Sequence, residues 1–221
     1  MSRHDGGPAE PAQPPDRPLI IAVPKGRILG ALGPLLERAG IDPSPLHQTD
    51  RRLVRPSPDG ALAWVFLKPD DVPTYVEYGA ADLGVSGRDT LLEGKHELYT
   101  PVDLAIGRCR LVVAAPRGAP LPDVPRIATK YPRIAAEHFA RKGVQAEVIA
   151  VHGSVELAPL IGLAHAIVDI VETGATLREN NLEVLETVAE VSTLLIANRA
   201  SYKLRAAAIR PLVERLRAAI G

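Results

Sequence analysis

Cysteine is nearly absent from this sequence: Cys109 stands alone among 221 residues. One thiol cannot close an internal disulfide, which excludes a disulfide-stapled secreted scaffold. The six histidines are scattered, and none falls at metal-ligand spacing with Cys109. Aromatic residues make up only 4%, too few for base-stacking platforms to be the main theme. Excess charge of either sign is also missing. Lys plus Arg and Asp plus Glu are 26 each, so the formal net charge is zero, which argues against a general nucleic-acid binder or a polybasic membrane-surface protein. No apolar run approaches the roughly 20 residues that span a bilayer, and the N-terminus has no apolar leader core. The expected compartment is the cytoplasm, with no nucleic-acid or membrane partner. Finally, there is no G-x-G-x-x-G, Walker A or H-E-x-x-H motif, no Ser-His-Asp order and no Cys-His pair. The common dinucleotide, P-loop, zinc-hydrolase and triad readings therefore fail.

What is present is enough apolar material, 46% of residues, for a sizeable core without staples. The length suits one large α/β domain or two small ones. Residues 1–18 hold five prolines and no large aliphatic side chain, so they are expected to be a disordered tail. Beyond them, short apolar runs alternate with amphipathic stretches. Strands are expected at 19–23, 61–67, 82–86, 111–115, 126–130, 146–151, 166–171 and 193–197. Helices are expected after Gly26, after Asp71, at 88–89, at 132–142, from an N-cap at Ser154 to Leu160, near Leu177, and over a final stripe of Ile209, Leu212, Val213, Leu216 and Ile220. The alternation reads as α/β with mainly parallel pairing. A Pro-rich loop at 116–125 marks either a boundary or a surface connection.

Four strand-to-helix turns are candidate sites. In DIVETGATL (169–177), a buried strand ends in acids and is followed by a Thr-Gly-Ala-Thr turn. Gly174 lets the backbone approach a ligand, and the small neighbours leave the amides open. Amides and helix dipole then suit a phosphate, with the Thr173 and Thr176 hydroxyls as added donors. Asp169 and Glu172 would repel a phosphate directly and suit sugar hydroxyls or a hydrated Mg²⁺. The bland alternative is an ordinary capped turn. In VPKGR (23–27), Lys25 and Arg27 stand at the carboxyl edge of the first strand, where open α/β sheets bind ligands. A solvated basic turn would look the same. Arg51 and Arg52, with Arg55 nearby, suit bidentate phosphate contacts, or else form a solvated loop. HGSVELAP (152–159) is either a further anion-contacting turn or a plain capped helix carrying Glu156 in its first turn. Cys109, between Arg108 and Arg110, reads either as a thiol of lowered pKa or as a semi-buried structural thiol, the second being favoured.

Taken in order, IAVPKGRIL at 21–29, DVPTYVEYGAADLGVSGRDTLLE at 71–93, GRCRLVVAAP at 107–116, RIATKYP at 126–132, GSVELAPLIGLAHAIVDIVETGATLRENNLE at 153–183 and IANRAS at 196–201 resemble the ATP phosphoribosyltransferase family. The resemblance implies two α/β domains of the periplasmic-binding-protein-like type with a cleft between them. Domain I would take 19–105 plus 187–221, and domain II 106–186. It implies the first step of histidine biosynthesis. Adenine N1 of ATP joins C1 of phosphoribosyl pyrophosphate (PRPP), pyrophosphate leaves, and Mg²⁺ is required, held mainly by substrate phosphates. The PRPP loop maps onto Asp169, Glu172, Thr173, Gly174, Ala175 and Thr176. Lys25, Arg51 and Arg52 would be the catalytic cations. Arg27, Lys130, Ser154 and Glu156 would be further contacts to ATP or pyrophosphate. The match stops about 20 residues before the chain does, which resembles the short form of the family. That form implies a separate regulatory subunit resembling histidyl-tRNA synthetase and a homodimer within a hetero-oligomer. The alternative is a cytoplasmic solute-binding or sensor module on the same fold.

Overall fold

The computed structural model describes residues 17–47 and 52–221. The order of elements is β1 (Leu19–Pro24), α1 (Arg27–Arg38), α2 (Ser44–His47), β2 (Val54–Pro56), β3 (Leu62–Leu67), α3 (Val72–Glu77), β4 (Leu83–Gly87), α4 (Arg88–Gly94) and β5 (Tyr99–Asp103). The chain continues through β6 (Cys109–Pro116), β7 (Arg126–Thr129), α5 (Pro132–Arg141), β8 (Glu147–Ala150), α6 (Leu157–Leu160), β9 (Ala166–Val171) and α7 (Ala175–Glu179). It ends with β10 (Leu182–Val191), β11 (Thr193–Ala197), α8 (Arg199–Leu204) and α9 (Ala206–Ile220). Two sheets result, β2-β3-β1-β4-β11-β5 and β10-β6-β9-β7-β8. No helix among the described residues is long and apolar enough to cross a membrane.

Strand period decides which face each apolar residue buries. Ile21 and Val23 enter the core under α1 and α9, with Leu32, Leu35, Trp64 and Ile209, while Ala22 between them faces Val72 and Val76 of α3. The second sheet repeats the device. Leu111, Val113 and Ala115 face α5, and Val112 and Ala114 face the side covered by α6 and α7. Each sheet is thus covered on both faces, giving two α/β domains.

Pairing is mixed, not mainly parallel. β1 runs parallel to β3 and β4, and β7 to β8 and β9. β2, β5, β6, β10 and β11 pair antiparallel. The cause is the double crossing between domains. The chain leaves the first sheet through residues 104–108 and returns through Ser192 alone. The strand that follows each crossing starts where its neighbour ends, so Thr193 faces Gly87 and Arg110 faces Val171. Backbone bonds lash the two crossings together: Leu104 N donates to Thr193 O (2.9 Å), and Thr193 N to Ile106 O (3.2 Å).

Other expectations need correction. The strands β2, β5 and β10 were not anticipated. β10 slips register against β6 twice, between Val184 and Glu186 and between Thr187 and Ala189, and such irregularities break the period-2 pattern. Its pairing with β6 runs to Val191, so the boundary expected at 186/187 falls inside a strand. Ser154 is no N-cap: it has φ 46°, and α6 starts only at Leu157 without a side-chain cap. Of the tail expected at 1–18, residues 1–16 lie outside the described residues. Arg17 is anchored, donating to Asp82 Oδ2 (3.1 Å) and Oδ1 (2.9 Å).

Asp82 is the polar pin of the first domain. Fully buried beside β4, it also accepts from Arg205 Nη1 (2.7 Å), Ser201 Oγ (2.8 Å) and Ile20 N (2.9 Å). One carboxylate thereby ties β1 to the α8–α9 junction. Removing the carboxylate leaves the part-buried Arg205 guanidinium and the Ile20 amide without their acceptor. Asp82→Ala is expected to lower unfolding free energy by about 3 kcal/mol in urea titrations. A loss below about 1 kcal/mol, the worth of an exposed pair, would contradict this role.

Candidate functional site

The parallel strands deliver their carboxyl ends to one cleft. Pro24 is followed by Lys25-Gly26-Arg27, Gly87 by Arg88-Asp89, Thr129 by Lys130-Tyr131, and Val171 by Glu172-Thr173-Gly174. Strand ends are where open α/β sheets place ligands. The tight first turn needs Gly26, whose φ is 95°, a region that L side chains rarely adopt. Two hollows open here. One, of about 160 Å³, is lined by Lys25, Arg27, Asp70, Asp89, Lys130 and Tyr131 among others. The other, of about 410 Å³, is lined by Glu156, Asp169 and the whole of 170–177. Arg27 lines both. A larger hollow of about 660 Å³ lies between the start of β1 and α9, at the opposite strand ends.

The loop 172–176 turns at Gly174, and Ala175 N donates to Thr173 Oγ1 (3.4 Å) within it. Gly174 is left-handed (φ 73°) and is the N-cap of α7. A Cβ there would come 3.2 Å from Arg178 Nη1, the movable end of a long side chain, so it is the backbone conformation that calls for glycine. Arg178 Nη1 donates to Thr173 O (3.0 Å), which orients the turn. Thr173 and Thr176 are exposed beside it. Asp169 is half-buried, and burial pushes its carboxyl above the ordinary value. Its Oδ1 accepts from Ile170 N (2.8 Å).

Charged and polar contacts bridge the cleft. Arg27 Nη1 donates to Glu172 Oε2 (3.2 Å) and to Gly107 O (3.4 Å), and its Nη2 to Cys109 Sγ (3.7 Å). Lys130 Nζ donates to Asp70 Oδ1 (2.9 Å), and Tyr131 OH to Asp89 Oδ2 (2.8 Å). Burial, with Asp89 alongside, pushes the Tyr131 hydroxyl far up, so it stays a donor. Burial likewise raises the Cys109 thiol. It is a packed core thiol rather than a nucleophile.

The structure brings together Lys25, Arg27 and Lys130 at one hollow, and Glu156, Asp169, Glu172, Thr173, Gly174, Ala175 and Thr176 at the adjoining one. It leaves Ser154 and Arg52 out of both: each is exposed and lines neither. Arg51 lies outside the described residues. Sequence reading passed over Asp70, Asp89 and Tyr131. Their signal was positional, since Asp89 and Tyr131 stand two residues beyond the ends of β4 and β7. Among the described residues no group of three or more His, Cys, Asp or Glu could hold a metal ion.

A family model described as ATP phosphoribosyltransferase (HisG) matches residues 68–218. An ATP phosphoribosyltransferase of Sorangium cellulosum (strain So ce56) is 77% identical over 203 residues, which cover 92% of this chain and 96% of that protein. Among solved structures, the ATP phosphoribosyl transferase (HisG:HisZ) complex from Thermotoga maritima matches with a TM-score of 0.79 at 36% identity, covering 91% of this chain and 98% of that one. The Bordetella pertussis BvgS VFT2 domain shares the two-domain fold alone, with a TM-score of 0.55 at 14% identity over 91% of each chain. With two-thirds of its length matched by the family model, the chain belongs to the ATP phosphoribosyltransferase family.

Proposed function

We propose that the chain transfers the phosphoribosyl group of PRPP to N1 of ATP, releasing pyrophosphate in the first step of histidine biosynthesis. Family membership supplies the reaction. The observation that carries its geometry is Arg27, the charged side chain that lines both the cationic hollow and the Gly174 loop hollow.

The chemistry needs no covalent nucleophile. The adenine N1 lone pair attacks C1 as the bond to pyrophosphate breaks, and positive charge develops on the ribose. The protein must align two polyanions and stabilise the leaving group, which proximity and preorganised charge accomplish. In this reading the amides of 173–176 and the two threonine hydroxyls hold the 5′-phosphate. Asp169 and Glu172 accept hydrogen bonds from the ribose hydroxyls. Lys25, Arg27 and Lys130 face the pyrophosphate and ATP phosphates, and Arg51 and Arg52 are proposed for the same leaving-group role, with Glu156 at the loop's flank and Ser154 as an outlying contact. The residue set fits a hydrated Mg²⁺ carried on substrate phosphates, since the loop presents the carboxylates of Asp169 and Glu172 to it. Bound there, the ion would neutralise charge on departing pyrophosphate. We also propose a separate regulatory subunit, as the Thermotoga maritima relative was solved in a HisG:HisZ complex, with a homodimer inside that assembly. A cytoplasmic location fits two phosphorylated, membrane-impermeant substrates.

Mixing the protein with ATP, PRPP and Mg²⁺ should generate the absorbance of N1-alkylated adenine. No signal, with or without a regulatory subunit, would overturn the reading in favour of a solute-binding module. Arg27→Ala is expected to lower kcat about 10²-fold, the cost of losing one preorganised donor. Arg52→Ala should slow single-turnover chemistry more than it weakens PRPP binding, and parent-like rates would remove Arg52 from the leaving-group role.

Asp169 predicts a pH dependence. With its pKa raised by burial, the carboxylate needed for the ribose is lost as pH falls through a value above 3.8, so kcat/KM should show an acid limb there. The same shift costs the folded state stability, from nothing below the ordinary pKa to its full extent above the raised one. Asp169→Asn should therefore remove the limb, reduce activity and raise Tm at neutral pH. An unchanged acid limb in the variant would exclude Asp169 as its source.

A further inference from the structure

We propose that Glu93 is a positioning residue that sets the angle between the two domains, and with it the distance from the Lys25–Arg27 half of the cleft to the half carrying Lys130 and Tyr131. The proposal rests on the transferase reading and adds a residue that touches no substrate.

Helix α5 starts directly after Lys130 and Tyr131, so any movement of its first turn moves both side chains. The first amides of a helix have no partners within it and need acceptors. α5 supplies none of its own: Tyr131 at the N-cap makes no side-chain capping bond, and the first turn holds no acid. The acceptors come from the other domain. Glu93 Oε1 accepts from Arg133 N (2.9 Å) and Oε2 from Ile134 N (3.0 Å). The carboxylate also faces the positive end of the ten-residue helix.

A bond also runs in the opposite direction. Arg133 Nε donates to the backbone carbonyl of Glu93 (2.8 Å), in the last turn of α4, and Glu137 Oε1 holds the guanidinium from behind at 2.5 Å. Thus the end of α4 and the start of α5 each satisfy the other's orphan groups. Two of these bonds between the helices involve an ionised acceptor and one an ionised donor, which strengthens them. The bond from Tyr131 OH to Asp89, in the first turn of α4, adds a fourth bond between the same two helices. Sliding one helix on the other breaks the set together. Substrates that bridge the domains depend on that fixed angle more for reaction than for binding, because each half of the cleft keeps its own contacts when the angle loosens, whereas attack on C1 requires both halves aligned.

The test compares the full-length parent with Glu93→Gln and Glu93→Asp. Glu93→Gln turns one acceptor into a donor facing a backbone amide, so one cap is lost. We expect kcat to fall about tenfold or more, with KM for ATP and for PRPP within about threefold of the parent. Glu93→Asp keeps the charge at shorter reach and should recover part of the loss. Amide exchange should quicken at Arg133 and Ile134 and stay unchanged at 173–177. A parent-like kcat in Glu93→Gln would overturn the proposal. So would a kcat loss matched by an equal loss of folded protein, or a rise in KM at constant kcat. If the parent itself were inactive, the transferase reading would fail. The angle would then be decided by small-angle scattering, where a larger maximum dimension in Glu93→Gln supports it and an unchanged one overturns it.

Discussion

Everything at the cleft depends on one constraint, the side-by-side crossing of the chain between two sheets. Residues 104–108 carry it over and Ser192 carries it back, and the bonds from Leu104 to Thr193 and from Thr193 to Ile106 hold the crossings together. Because both crossings lie at the carboxyl ends of β1, β4 and β9, those ends are forced to face one another. Lys25, Arg27 and Asp89 come from one side, Lys130, Asp169 and Glu172 from the other. The reversal of direction in β6 and β11 is the same fact seen in the hydrogen-bond ladder.

The crossing also explains how a chain of zero formal charge can bind polyanions. The cations are concentrated on turns after β1 and β7, and carboxylates stand among them. Arg27 with Glu172 and Lys130 with Asp70 pair across the gap. Such exposed pairs are individually weak, so a phosphate can take over a cation at small cost. Buried groups do the opposite. Asp82 holds the first domain together, and the Tyr131–Asp89 bond keeps the two halves in register. The cleft therefore has a rigid floor and exchangeable walls.

Much of this was legible in the residues. The runs at 19–23, 166–171 and 193–197 became β1, β9 and β11 nearly to the residue, because buried strands are continuous apolar runs. The Thr-Gly-Ala-Thr segment could be read as a strand-to-helix turn around a left-handed glycine, since Gly174 and its small neighbours carry that signal locally. Direction of pairing was not legible: a β11 run parallel or antiparallel to β4 has the same composition. β10 was hidden by its two register slips, and Asp70, Asp89 and Tyr131 by the fact that one acid or one tyrosine after a strand is unremarkable until the topology brings several such positions together. The cap that Glu93 places on α5 is the extreme case, joining residues 40 positions apart with no periodic signature.

The central claim is that one cleft, with Arg27 between its halves, holds both substrates during transfer. A crystal structure of the protein with PRPP and ATP, trapped in Mg²⁺ before turnover, tests it most directly. The account predicts the 5′-phosphate on the amides of 173–176, the ribose hydroxyls on Asp169 and Glu172, and the pyrophosphate within hydrogen-bond reach of Arg27. A 5′-phosphate bound elsewhere, or a pyrophosphate out of reach of Arg27, would contradict it.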